Sequence, residues 1–218
     1  MKIGLLNKLK ERLPVNPGIL RKNEFFNSAV LIPLVHVSDE YFFLFEKRAA
    51  DIRQGGEICF PGGEIDETDS DIIHTAVRET VEELGVDKNK IEIVGRLDTL
   101  VGPMRVTVDS VVAILKIDDI SNIPFDKREV EKIFLLPISF FEKTPPEKYK
   151  LQLQAHSTIK DKSGNEIELF PAKELKLPER YQKPWNAGNS TVLVYRTGEG
   201  TIWGITASLV YELVRKLC

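Results

Sequence analysis

Phe60 to Gly85 reads FPGGEIDETDSDIIHTAVRETVEELG, and the order of residue types in it decides the fold. Asp71 to Leu84 has helical spacing, with Ser70 or Asp71 as N-cap and Gly85 as stop. On a wheel of about 100° per residue with Glu79 at zero, Glu83 falls near +40° and Glu82 near −60°. Ile73, Val77, Val81 and Leu84 fall between about 120° and 200°. The expected helix therefore packs an apolar face on a sheet and turns three carboxylates the other way. Like charges one turn apart repel by a few tenths of a kcal/mol per pair. A solvated acidic face tolerates this, and a hard divalent cation exploits it, since carboxylate oxygens are ligands for Mg²⁺ or Mn²⁺. Arg78 lies one turn before Glu82 and can orient it. Gly62-Gly63, upstream, allow close approach of the backbone.

Outward from this stretch, β-branched and aromatic runs predict strands at Ser28–Val37, Tyr41–Lys47, Glu57–Phe60, Lys90–Leu100, Val106–Ile117 and Lys132–Leu136. Leu5, Leu6, Leu9 and Leu13 stripe a short N-terminal helix stopped by Pro14 and Pro17. Residues 145–187 carry four separated proline sites and a turn at Ser163-Gly164-Asn165, and are expected to be an irregular insertion with one hairpin. Thr191–Tyr195 and Thr201–Trp203 flank a turn at Gly198-Glu199-Gly200. The C-terminal helix, 203–217, brings Ile205, Leu209, Leu213 and Leu217 to one face at steps of four.

Composition sets the limits. With 218 residues the chain is expected to form one domain, 1–218, of which 1–27 is an N-terminal helix and lead-in. Thirty basic against 33 acidic residues give a net charge of −3, which argues against bulk electrostatic binding of nucleic acid. No apolar run approaches the 18 residues that suggest a membrane span. The two cysteines, Cys59 and Cys218, form no C-x-x-C pair, the first residues lack a secretory pattern, and the ending Lys216-Leu217-Cys218 is no peroxisomal address. A cytoplasmic protein is expected, with a homodimer left open. His36, His74 and His156 have no partner at metal-ligand spacing and are taken as structural. Cys59 is expected to be a small buried hydrophobe and Trp203 a core residue.

At Arg78-Glu79-Thr80-Val81-Glu82-Glu83-Leu84-Gly85-Val86 the sequence resembles the Nudix box, G-x5-E-x7-R-E-U-x-E-E-x-G-U. Thr80 stands where the pattern has its first aliphatic residue. Gly63 to Arg78 is fifteen steps where the box has fourteen, and the loop glutamate is replaced by Asp69 or by nothing. The coenzyme A pyrophosphatase branch is similar in having this longer loop with a D-x-x-D, here Asp66 to Asp69. Against the branch's upstream pattern the chain reads Leu44-Phe45-Glu46-Lys47-Arg48-Ala49, then Arg53, Gly56, Ile58 and Phe60-Pro61-Gly62-Gly63, with Arg48, Ala49, Arg53 and Gly56 in register, and its closing segment looks like Ile202 to Ala207. Residue 55, often His in the branch, is Gly. The resemblance spans about Ser28–Phe141 and Thr191–Leu217.

It implies an α/β fold, a Nudix-type α/β/α sandwich with a mixed sheet, the box helix on one side and the C-terminal helix on the other. It implies metal-dependent hydrolysis of coenzyme A or acyl-CoA at the pyrophosphate, giving 3′,5′-ADP and 4′-phosphopantetheine or its acyl form. Glu79, Glu83, Glu82 and the Gly63 carbonyl would hold Mg²⁺ or Mn²⁺. Glu82 and Arg78 would serve the chemistry, with Glu129, preferred to Glu131, as general base. Arg48, Arg53, Phe60 and Gly62 would meet the substrate, a small nucleotide rather than a nucleic acid or membrane. The alternatives are hydrolysis of ADP-ribose or NADH, and a Nudix-fold module that binds a nucleotide without cleaving it.

Overall fold

The computed structural model describes residues 3–117 and 119–217. Asp118 and the expected Cys218 lie outside the described residues. In chain order the elements are α1 (Ile3–Arg12), β1 (Phe26–Val37), β2 (Glu40–Arg48), β3 (Ile58–Cys59), β4 (Gly62–Glu64), α2 (Ile72–Leu84), β5 (Ile91–Arg96), β6 (Leu100–Gly102), β7 (Val106–Leu115), β8 (Val130–Pro137), α3 (Ile138–Lys143), β9 (Glu147–Ala155), β10 (Thr158–Lys160), β11 (Glu166–Glu168), β12 (Trp185–Thr197), β13 (Gly200–Trp203) and α4 (Gly204–Leu217).

The central sheet runs β3-β2-β1-β7-β5, with β4 on β1, β6 on β7 and β8 on β2. Strands β1 and β7 pair in parallel and the other pairs are antiparallel, so the sheet is mixed. Alternating side chains feed two cores. Leu44, Ala29, Leu31, Val111 and Ala113 pack with Ala76 and Leu84 of α2 on one face. Phe43, Phe45, Ile32 and Val112 pack with Ala207, Leu209, Val210 and Leu213 of α4 on the other. This is the expected α/β/α arrangement. No helix among the described residues is long and apolar enough to cross a membrane.

Three features depart from expectation. Residues 145–187 are more regular than an insertion with one hairpin. The hairpin β10–β11 does form at the Ser163-Gly164-Asn165 turn, but β9 and β12 also pair over nine positions, with a bulge at Asn186/Gly188. Prolines 171, 178 and 184 fall outside the strands, where their missing N–H groups cost no ladder bond. Secondly, α4 buries Thr206, Ala207, Leu209, Val210, Leu213 and Val214, while Ile205 and Leu217 are exposed. Steps of four drift about 40° each, so a stripe from 205 to 217 winds off the buried face.

The third departure concerns α2. Its buried residues are Thr75, Ala76, Thr80, Glu83 and Leu84, while Ile73, Val77 and Val81 are half-buried. The helix is rotated from the expected setting so that small residues and Glu83 face the sheet. Strand β4 makes this possible. A Cβ on Gly62 would meet the Ala29 carbonyl oxygen at 2.5 Å, and one on Gly63 would meet both Glu79 carboxylate oxygens at 2.5 Å. The bare β4 backbone therefore admits the glutamate side of α2 at a distance that any side chain would prevent.

Candidate active site

The helix that carries the carboxylates is fixed at both ends. The Asp71 side chain accepts the His74 N–H at 2.8 Å, and Gly85 closes the helix in the left-handed conformation at φ 65°. Thr80, in place of an aliphatic residue, is fully buried and donates its hydroxyl to the Ala76 carbonyl at 2.7 Å. The hydroxyl is thus satisfied within the helix and the residue occupies a buried position without an orphaned donor.

Arg78 organises the first turn of the site. Its Nε and Nη2 fork onto Asp69 at 3.0 and 2.9 Å, while Nη1 donates to Glu79 at 2.8 Å and to Glu82 at 3.1 Å. The Asp69 carboxyl is completely enclosed and also faces His74 Nδ1 at 2.8 Å. The Arg78 guanidinium holds it well below the usual carboxylate range. Asp69 therefore anchors Arg78, and His74 contacts the same carboxylate. Sequence spacing anticipated the contact with Glu82 and missed that with Glu79.

The three box glutamates occupy three environments. Glu82 is 58% exposed. Glu79 is half-buried, and burial raises its pKa against the opposing pull of Arg78. Glu83 is 2% exposed, accepts the Gly62 N–H at 2.9 Å and lies 3.7 Å from Arg48 Nη1. Burial pushes its carboxyl upward, and the Glu46 charge adds to this. The expectation that Glu83 turns away from the packed side of the helix is therefore corrected. The rotated helix carries it under Gly62.

Two residues that sequence reasoning did not select complete this wall. Glu46 on β2 is fully buried, with Oε2 lacking any hydrogen-bond partner among the described residues. Its Oε1 accepts the Cys59 thiol at 3.2 Å and lies 4.0 Å from Arg48 Nη1. Burial raises the Glu46 pKa, and Glu129 and Glu79 add to the effect by repulsion. Cys59 is thus a hydrogen-bond donor within the site rather than a simple hydrophobe, its thiol pushed up by burial and by Glu46. The signal for both was present. Glu46 interrupts an apolar strand, and register Glu46↔Cys59 follows once β2 and β3 pair.

The remaining expected residues separate. Arg48 enters the site, its Nε donating to the Arg53 carbonyl at 3.2 Å. Arg53 itself is exposed, its guanidinium 5.2 Å above the Phe26 ring, with no bond to the carboxylates. Phe60 is corrected to a core residue. It is 3% exposed and stacks on Phe45 at 4.8 Å, because alternation along the chain points it to the α4 face. Glu131 is tied to Lys47 at 2.7 Å, whereas Glu129 is exposed and its charge is felt by both Glu46 and Glu79.

Oxygen donors, partial burial, mutual repulsion and the orphaned Glu46 Oε2 suit a hard divalent cation. Among the described residues no three His, Cys, Asp or Glu side chains close into a finished cage. Glu79 and Glu82 are turned onto Arg78, and Glu83 onto Gly62 and Arg48. The donor set fits the cation, while these contacts hold its members apart.

The NUDIX domain pattern matches residues 26–187. The mitochondrial coenzyme A diphosphatase NUDT8 of Homo sapiens is 34% identical over 125 residues, covering 56% of this chain and 53% of that protein. The peroxisomal coenzyme A diphosphatase NUDT7 of Mus musculus is 33% identical over 123 residues, covering 56% of this chain and 50% of that protein. The chain thus spans about half the length of these curated relatives. An uncharacterized Nudix hydrolase, NudL, of Yersinia pestis (strain Pestoides F) is 30% identical over 141 residues, covering 61% of this chain and 68% of that protein. The family pattern extends over well more than half of the sequence and includes both β4 and α2, so this chain belongs to the Nudix family.

Proposed function

We propose that the protein is a metal-dependent pyrophosphohydrolase acting on coenzyme A or an acyl-CoA. The observation that carries this reading is the meeting of Glu79 and Glu83 with Gly62-Gly63 and Arg48 in one partly buried wall. The similarity to proteins named coenzyme A diphosphatases supports the choice of substrate. Glu79, Glu83 and Glu82, with the Gly63 carbonyl, would hold Mg²⁺ or Mn²⁺. A cation bound there supplies charge neutralisation for the pyrophosphate oxygens and a more acidic water.

The protein's own residues do the rest. Arg78 keeps Glu79 and Glu82 on one side of the helix, and Asp69 keeps Arg78 from turning into solvent. Arg48, beside Glu83, offers a guanidinium to a phosphate oxygen. Glu129, in the β7–β8 connection and with a charge that raises the pKa of both Glu46 and Glu79, would take the proton of the attacking water. That water adds to one phosphorus, the bridging P–O bond breaks, and its electron pair leaves with the departing phosphate. The products are 3′,5′-ADP and 4′-phosphopantetheine, or the acyl form of the latter. A free Cys59 fits a reducing compartment such as the cytoplasm.

One observation favours keeping a second substrate in the test. A Cβ on Gly55 would meet the Ala49 carbonyl oxygen at 2.7 Å, so the loop is built around a bare residue where the branch often has His. ADP-ribose or NADH is the competing substrate on that ground. The test is a product assay with CoA, dephospho-CoA, ADP-ribose and NADH, with Mg²⁺ or Mn²⁺ and with chelator. CoA is expected to be cleaved with the highest kcat/KM, and chelator to abolish turnover. Equal rates on all four would reduce the activity to general dinucleotide hydrolysis. Tight binding of CoA without turnover would establish a binding module instead.

A further inference from the structure

A cavity of about 570 Å³ lies against the edge of the sheet, lined by Lys47, Gly55, Gly56, Ile58, Gly200 and Trp203, with Glu57, Val194, Glu199 and Thr201 completing its rim. Its size is that of a small-molecule site. Lys47 and Ile58 are register partners on β2 and β3, and the next pair, Glu46 and Cys59, points the opposite way into the carboxylate wall. The cavity and the wall therefore lie on opposite faces of β2 and the edge strand β3. Only the two-residue strand β3 stands at the sheet edge between the two faces.

The chemistry of the lining is selective. Trp203, expected in the core, is 44% exposed and presents its indole to the cavity. Gly55 and Gly200 must stay bare, since a Cβ on the first would strike the Ala50 carbonyl oxygen and one on the second would reach Ile58 Cδ1 at 3.0 Å. An exposed ring thus lies beside the bare backbone of Gly55, Gly56 and Gly200, a lining with room for a flat group. The one lysine of the lining, Lys47, is already paired with Glu131 at 2.7 Å, and Glu199 of the lining is paired with Lys132 at 2.7 Å. The slot thus offers no spare cation to a phosphate. Glu57 has no ion pair or side-chain hydrogen bond among the described residues and is available as an acceptor.

We propose that this cavity is the nucleobase subsite, taking an amino-bearing purine flat against Trp203 with its exocyclic amino group toward Glu57. This rests on the hydrolase reading for the presence of a nucleotide, and it assigns a place that the pyrophosphate chemistry does not. Stacking on indole is tolerant of ring type. The contact to Glu57 would add a preference for a donor on the ring edge.

Intrinsic fluorescence tests it directly. The chain has two tryptophans, and Trp185 sits apart from the cavity against Tyr181 at 5.3 Å. In a Trp185→Phe background, 5′-AMP should quench Trp203, while ribose 5-phosphate and pantetheine should not. Glu57→Ala should weaken 5′-AMP about tenfold and leave purine riboside 5′-monophosphate, which has no donor on the ring edge, unchanged. In the otherwise native enzyme, Trp203→Ala should raise KM about tenfold with kcat little changed, and Trp203→Phe should restore most of the loss. Quenching by pantetheine and not by 5′-AMP would overturn the assignment in favour of the apolar arm. Unchanged KM in Trp203→Ala would overturn the subsite while leaving hydrolysis standing. Quenching by 5′-AMP in a protein that cleaves no dinucleotide would uphold the subsite and refute the hydrolase reading.

Discussion

Glu83 is buried under Gly62 and faces Glu46, and both carboxyls have pKa values raised above their ordinary 4.5 by burial. Such a group retains a proton in the folded state that the unfolded chain has already released. Its contribution to stability is full below about pH 4.5 and declines as the pH rises through the neutral range. The metal-free protein should therefore lose Tm between about pH 5 and pH 8, and Glu83→Gln should flatten that slope in a thermal-shift series. A glutamine keeps an acceptor for the Gly62 N–H and is buried neutral without the proton uptake that burial of Glu83 requires above its ordinary pKa. The apo Tm of Glu83→Gln at about pH 7.5 should accordingly be equal to or above that of the wild type. Its kcat should fall by about a hundredfold or more, the scale of a lost electrostatic contact in a transition state. Near-native turnover in Glu79→Gln, Glu82→Gln and Glu83→Gln together would reduce the cluster to a structural feature.

At the scale of elements, the close fit of α2 on β4 separates folding from chemistry at two adjacent glycines. Gly62 has φ 155°, and an added Cβ would run into the Ala29 carbonyl oxygen and the Val30 Cα, at 2.5 and 2.6 Å. Both obstacles are backbone of the central strand β1, so Gly62→Ala should destabilise by about 2 kcal/mol or more, read from urea unfolding. At Gly63 the obstacle is the Glu79 carboxylate, the free end of a side chain. Gly63→Ala should leave Tm within a few degrees and still lower kcat severely, because Glu79 is displaced from its place beside Arg78. Equal loss of stability in the two variants would contradict this division. The same elements explain why the longer loop works. Asp69, held below Arg78 by its own turn with Asp66 at 3.0 Å, reaches the guanidinium from the shorter side chain.

At the scale of the whole molecule, two cores share one mixed sheet, and the site lies where the sheet's edge strand and α2 converge. The N-terminal helix is outside both. Every described residue from Leu5 to Gly18 is exposed, including Leu5, Leu6, Leu9 and Leu13. Deleting residues 1–13 should thus change Tm by less than about 2 °C and leave kcat/KM on CoA unaltered, measured on one preparation against the full chain. A large loss of Tm would mean that the leucine stripe packs on the protein in solution.

The sequence by itself determined the existence of α2, its stop at Gly85 and the spacing of Glu79, Glu82 and Glu83, because these depend on contacts within a few residues, and it implied the α/β class through the family resemblance. It also carried the family through the Arg78–Val86 pattern. Which way α2 faces was decided by the tertiary structure. A helical wheel fixes angles among side chains and says nothing about the absolute rotation, which the bare backbone of β4 sets. Pairing of β2 with β3 likewise brought Glu46 to Cys59 across thirteen residues of chain, a register that no local propensity specifies. Strand alternation, fixed by that register, sent Phe60 into the core. The meeting of Trp203 with the Gly55-Gly56 loop joined segments about 150 residues apart and left an indole open that apolarity alone would have buried.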